Sequence, residues 1–171
     1  MLARLDAVPG LAPARVDASG RFFWVAPAGG DASAAADRAR EVLGATARRL
    51  SPSEAEAQLA AHGRGDPWLG AAEVMALSYV EGRLLSVRIA GAAARELGAA
   101  APVREAVAEA IRVELFRALE RVHAEGGRRS SSWIDAEWPE IARAAAARCR
   151  DVLEPERHAL LVTLLPSLLR A

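Results

Sequence analysis

The stretch AEVMALSYVEGRLLSVRIA, residues 72–90, decides the fold because its apolar pattern fits two different structures. With a period of two, it predicts a β-hairpin that turns at Glu81 and Gly82, with alternating apolar residues Leu85, Val87 and Ile89 in its second strand. With a helical period, it begins behind an Asp66 cap and shares one face among Trp68, Ala71, Ala72, Met75 and Tyr79. The alternation in the second half favours the hairpin.

A second pair of strands is predicted upstream of this stretch. Residues 11–18 and 21–26 are read as strands, and Phe22, Phe23, Trp24 and Val25 are strong strand formers. The residues between them, DASG at 17–20, have turn chemistry, since Gly20 can adopt a positive φ. A short helix over residues 2–8 comes before these strands and ends at Pro9 and Gly10. The N-terminal part of the chain is therefore predicted to hold a hairpin of its own.

The rest of the chain is predicted to be helical. Residues 31–50 carry one apolar stripe at the helical period, and Arg38, Arg48 and Arg49 lie outside it. The sequence SPSE at 51–54 is a capping box that begins a short helix ending at residues 62–63, and residues 63–70 form a loop. Further helices are predicted over residues 102–124, over 136–153, and from Pro155 to about Leu169, where Pro166 should kink or fray the end.

These elements resemble the roadblock/LC7 family over residues 2–120. The resemblance rests on LDAVPG at 5–10, VDASG at 16–20, a strand, an Ala-rich helix with Arg38, and YVEGRLLSVRI at 79–89. It implies a five-stranded antiparallel sheet, a homodimer, and often the binding or regulation of a small Ras-like GTPase. It carries over no catalytic residue.

The fold class expected from the pattern and the resemblance is α/β (α+β). We expect a small antiparallel sheet of two hairpins flanked by helices, roadblock/LC7-like, in residues 1–125. A helical C-terminal region, residues 126–171, should follow and pack on this domain or on a partner. At 171 residues, the chain is long enough to bury a core without disulfide or metal staples.

Composition argues against several classes of function. The 22 basic and 22 acidic residues cancel, which disfavours broad electrostatic binding of nucleic acid or of an anionic membrane. A single cysteine excludes an intrachain disulfide and a multi-cysteine zinc site, and the three His are not closely spaced. The longest apolar run, residues 159–165, is far shorter than the ~20 residues of a membrane span. We therefore expect a cytoplasmic protein with no metal, no cofactor and no membrane insertion.

The last helix suggests more apolar surface than one small core can hide. Its leucines and Val162 occupy nearly every side, so it should be central or lie at a subunit interface. We accordingly expect a non-catalytic homodimeric scaffold or regulator that docks a protein partner, one candidate being a small Ras-like GTPase. The predicted partner-binding residues are Arg38, Arg48, Arg49, Trp68 and Phe116.

An alternative is a small-molecule or anion-binding domain or an enzyme that uses the loop at 62–68. Arg128, Arg129 and Ser130 would bind the anion, because they combine guanidinium and hydroxyl groups with flexible backbone before a helix. No catalytic residue is predicted. Cys149 is read as a small core side chain, Glu114 as an ion-pair partner of Arg117, and Glu120 and His123 as part of a solvated face.

Overall fold

The computed structural model describes residues 1–65, 67–125 and 133–170, and this part of the chain is dominated by helices. Within it lie seven α-helices, one 3₁₀ helix and three short strands. In chain order the elements are α1 Leu2–Asp6, β1 Arg15–Asp17, β2 Phe23–Trp24, α2 Ala32–Leu43, α3 Pro52–Gly63, β3 Trp68–Leu69, α4 Ala71–Glu96, α5 Ala101–Ala124, α6 Trp133–Arg148, α7 Pro155–Leu164 and the 3₁₀ helix Leu165–Arg170. The predicted α/β fold with two hairpins is therefore wrong.

The error lies in residues 72–90, which form part of one 26-residue helix, α4, instead of a hairpin. The buried residues of this stretch, Gly82, Ser86, Ile89 and Ala90, recur at helical spacing. Leu84 and Val87 are exposed instead. Gly82, the predicted turn residue, packs against α5, where its missing side chain leaves room for Leu115 and Phe116. Helical burial of small residues therefore overrides the alternating pattern of the second half.

Residues 1–76 form one compact unit around a three-stranded antiparallel sheet of order β2-β1-β3. Val16 of β1 pairs with Phe23 on one side and with Leu69 on the other, and these three side chains pack toward the core of the unit. The buried residues of that core are Leu2, Leu5, Leu11, Ala14, Val16, Ala35 and Ala39. The predicted first hairpin is present, although its strands are only three and two residues long.

Residues 77–125 and 133–170 belong to the second compact unit, in which α4 from residue 77 onward, α5 to α7 and the 3₁₀ helix share one core. Trp138 of α6 is the largest side chain enclosed there, and its indole N–H donates to the carbonyl oxygens of Leu165 and Pro166 at 3.3 and 3.1 Å. The predicted domain boundary at residues 125 and 126 falls at the edge of the segment 126–132, outside the described residues, and it stays a prediction.

The predicted helix ends are partly right. The capping box forms as predicted, since the Glu54 amide donates to Ser51 Oγ and the Ser51 amide donates to Glu54 Oε2. By contrast, α2 ends at Leu43 instead of residue 50, because Gly44 leaves the helical conformation with a φ of 98°. The final helix changes to 3₁₀ geometry at Leu165, next to Pro166, whose missing N–H removes a hydrogen bond of the α-helical ladder.

Candidate functional site

Two tryptophans lie on the outer side of the small sheet. Arg15 pairs with Trp24 and Asp17 pairs with Trp68, so these four residues alternate with the three that face the core. The two indole rings meet edge to face with centroids 6.2 Å apart, and Trp24 is 46% exposed. The His62 ring, near the end of α3, contacts Trp68 at a centroid distance of 6.2 Å. We call Arg15, Trp24, His62 and Trp68 the aromatic sheet face.

Hydrogen bonds place the side chain of Arg15, in the aromatic sheet face, and that of the neighbouring Asp17 differently. The Arg15 guanidinium donates to the Trp68 carbonyl oxygen at 3.2 Å and so stays beside the two rings. The Asp17 carboxylate turns instead into its own loop, where it accepts from the backbone amides of Ser19, Arg21 and Phe22. Burial raises the pKa of Asp17, but the Ser19 hydroxyl and these amides outweigh it and leave the pKa below its usual value. The exposed groups are therefore aromatic and basic, a composition typical of protein-binding hot spots.

A second exposed surface lies on α4. Leu77, Val80, Leu84 and Val87 follow one another at steps of three, four and three residues and are 45%, 55%, 66% and 57% exposed. This spacing places the four side chains in one line along the helix. Gly82, Ser86 and Ile89, on the opposite side of α4, are buried in the core. We call the four exposed residues the α4 stripe.

An open groove of about 630 Å³ lies between α4 and α5. Phe116 forms part of its wall instead of projecting freely, because its ring meets the Tyr79 ring edge to face at 4.9 Å. The Arg112 guanidinium lies 5.2 Å from the centre of the Phe116 ring and also binds Glu109, whose pKa its hydrogen bonds lower. Two of the charged residues that line this groove, Glu109 and Arg112, are thus paired with each other.

The other predicted partner-binding residues lie apart from these surfaces. Arg48 donates two hydrogen bonds to the Glu54 carboxylate at 2.9 and 2.6 Å, so its guanidinium is already occupied. Arg38 is half buried, its guanidinium lies over Gly10, and its Nε has no hydrogen-bond partner among the described residues. Arg49 is exposed between α2 and α3. The predicted anion-binding residues Arg128, Arg129 and Ser130 lie outside the described residues.

Of the predicted partner-binding residues, Trp68 is the one that belongs to the aromatic sheet face, and His62 comes from the 62–68 loop predicted for the alternative. Trp24 and Arg15, the neighbours of Trp68 across the sheet, were missed although the alternation around Val16 and Phe23 would have placed them on the outer side. The α4 stripe was also missed. Its spacing is visible in the sequence, but the hairpin interpretation assigned those residues to two strands.

The reactive side chains of the core have structural roles. Burial raises the pKa of the Cys149 thiol, which disfavours the thiolate that a nucleophile needs. Glu114 accepts hydrogen bonds from Arg117, as predicted, and also from Arg148 of α6, so it links two helices. Among the described residues, no group of three or more His, Cys, Asp or Glu side chains is placed to hold a metal ion. In the same part of the chain, no helix is long and apolar enough to cross a membrane.

Comparisons with protein families, with characterised proteins and with solved structures found no significant match. The roadblock/LC7 resemblance therefore stays a prediction, while the second hairpin expected from it is replaced by the helix α4 and the described sheet has three strands instead of five.

Proposed function

We propose that this protein is a non-catalytic scaffold that self-associates through the α4 stripe and docks a protein partner on the aromatic sheet face. The observation that carries the proposal is the line of four exposed apolar side chains on α4. Apolar residues at alternating steps of three and four are the pattern by which one helix packs along another. Contiguous apolar surface of this kind marks an interaction site on a folded protein.

The C-terminal helices expose only part of the apolar surface that the sequence predicted for them. Leu161, Leu165 and Leu168 are buried in the core of their own unit. Leu160 and Val162 remain exposed on α7, so the last helix is not wholly enclosed. The α4 stripe is the longer apolar line of the two, and we therefore assign the self-association to α4.

Light scattering coupled to size-exclusion chromatography tests the self-association. We expect the wild-type chain to elute as a dimer at micromolar concentration and Leu84→Glu to elute as a monomer, because a carboxylate cannot be buried unpaired in an apolar interface. The matched control is Leu59→Glu, since Leu59 of α3 is 52% exposed and lies outside the stripe. A monomeric wild type, or a Leu59→Glu variant that dissociates as Leu84→Glu does, would contradict the proposal.

Partner docking is supported separately by the aromatic sheet face. Tryptophan and arginine contribute most of the binding energy in many interfaces, and Trp24, Trp68 and Arg15 lie side by side here. Because the resemblance implies a small Ras-like GTPase, such a GTPase from the same organism is the first partner to test. In a direct binding assay, Trp24→Ala should weaken binding at least tenfold, a hot-spot loss of about 1.4 kcal/mol or more. Leu84→Glu should not weaken partner binding, because Leu84 lies outside the aromatic sheet face. Equal binding by wild type and Trp24→Ala would exclude this face.

The alternative of an anion-binding domain or enzyme has less support, because Arg128, Arg129 and Ser130 lie outside the described residues. A thermal-shift screen with nucleotides and inorganic phosphate tests it, since a ligand at 100 times its dissociation constant adds about 2.7 kcal/mol of stability.

We also propose a cytoplasmic location, which the single, buried and unpaired Cys149 supports because disulfides are rare in that compartment.

A further inference from the structure

The α4 stripe has charged residues on both of its edges, two on one and one on the other. Glu81 and Arg88 are seven residues apart, which is close to two helical turns, so they lie on the same edge of the stripe. Both are exposed. Arg83 is exposed on the opposite edge. The edge that carries Glu81 and Arg88 is therefore acidic toward the N-terminus of α4 and basic toward its C-terminus.

This charge order distinguishes the two ways in which α4 could pair with a second copy. In an antiparallel pair centred between Leu84 and Leu85, Glu81 of each copy lies level with Arg88 of the other, which gives two opposite-charge contacts on one edge and leaves one like-charge contact, between the two Arg83 residues, on the other. In a parallel pair, Arg83 of one copy flanks Arg88 of the other, which gives like-charge contacts instead. We infer that α4 pairs antiparallel with α4 of a second copy of this chain, with Leu84 and Val87 at the centre and two Glu81–Arg88 contacts along the edge that carries both residues.

Two further features of α4 fit this arrangement. The stripe continues to Gly91, which is half exposed and has no side chain, so it leaves space for Leu77 and Val80 of the second copy. The Arg88 guanidinium donates to the Leu169 carbonyl oxygen at 2.8 Å, which holds it on the surface of its own unit. Its remaining N–H groups are free to donate to a carboxylate of the second copy. The Glu81 side chain makes no hydrogen bond or ion pair with the described parts of the chain, so its carboxylate is available to accept.

The inference rests on the proposed self-association and adds its orientation. Sedimentation equilibrium of charge-reversed variants tests it. Glu81→Arg and Arg88→Glu should each weaken dimerisation about tenfold at low salt, because two attractive contacts become repulsive. An equimolar mixture of the two variants should recover tight association, because both contacts between positions 81 and 88 in the mixed dimer are again between opposite charges.

The outcomes separate this inference from the proposed function. If the wild type is a monomer, the self-association itself fails. If the wild type is a dimer and the mixture of variants associates no better than either variant alone, the antiparallel contacts are wrong while the dimer stands. If Arg88→Glu dimerises more tightly than wild type, the pair is parallel, because Arg83 of the other copy would then gain an opposite charge. The rescue in the mixture also shows that loss of the Leu169 contact is not the cause of the weakening.

Discussion

Gly82 lies where α4 comes closest to side chains of α5. A Cβ atom at this position would lie 3.3 Å from Leu115 Cδ2 and from Phe116 Cε1. We expect Gly82→Leu to lower the free energy of unfolding by about 1–3 kcal/mol, because the added side chain overpacks this contact. Gly82→Ala should change it less, since the gain in helix propensity, about 1 kcal/mol, offsets the crowding. Urea denaturation measures both.

Gly63→Leu is the matched control for this prediction. Gly63 is the last residue of α3, and a Cβ atom there would meet nothing within 4 Å. The control should therefore leave the free energy of unfolding within about 0.5 kcal/mol of wild type. Equal effects of Gly63→Leu and Gly82→Leu would show that the close approach of α4 and α5 is not what requires glycine.

The pKa of Glu54 is set by the groups that hydrogen-bond to its carboxylate. The Arg48 guanidinium, together with the Ser51 amide and hydroxyl, lowers the pKa of Glu54 from 4.5 to about 2. Because the folded pKa lies below the unfolded value, the stabilisation of α3 is complete above pH 4.5 and is lost as the pH falls toward 2. Carbon-detected NMR titration should give a Glu54 midpoint near 2 in wild type and a higher one in Arg48→Ala. An unchanged midpoint would mean that the Arg48 contact does not form in solution.

At the scale of an element, Trp138 joins α6 to the 3₁₀ helix that follows α7. Its ring is fully buried, and its N–H satisfies two carbonyl oxygens in the turn that Pro166 disrupts. Trp138→Ala should lower the free energy of unfolding by about 3–5 kcal/mol, and Trp138→Phe should cost less because it keeps much of the buried ring. Trp24→Ala, at an exposed tryptophan, is the control and should cost under about 1 kcal/mol. Comparable losses in the two alanine variants would contradict this assignment.

The elements that sequence patterns predicted well are those with local signals. The helix α5 forms close to its predicted bounds, and α3 begins at the predicted capping box, because both depend on residues within one or two turns. The helix α4 could not be predicted from its own residues, since alternation and helical spacing coexist there. The burial of Gly82 and Ser86 in the core selects the helix over the hairpin. Gly82 contacts Leu115 and Phe116 of α5, which are distant in sequence, so residues 72–90 alone do not reveal this contact.

At the scale of the whole molecule, the candidate site was predictable only in part. Trp68 was identified from its loop composition, but its contact with Trp24 depends on β1 lying between β2 and β3. No local pattern predicts that β3 joins the first hairpin, because β3 is two residues long and follows a helix. The exposed apolar surface was expected on the last helix, whereas the longer exposed line lies on α4.

Self-association through α4 also predicts how the thermal stability of the molecule depends on its concentration. A dimer that dissociates on unfolding gains stability by mass action, so the wild-type Tm should rise by about 1–3 °C for each tenfold increase in protein concentration. Leu84→Glu, which places a charge in the α4 stripe, should show a Tm that does not vary with concentration, whereas Leu59→Glu should behave as wild type does. Differential scanning calorimetry over a wide concentration range makes the measurement. A concentration-independent Tm in wild type would mean that the stripe stays exposed to water in a stable monomer, and α4 would then need another explanation for its four apolar side chains.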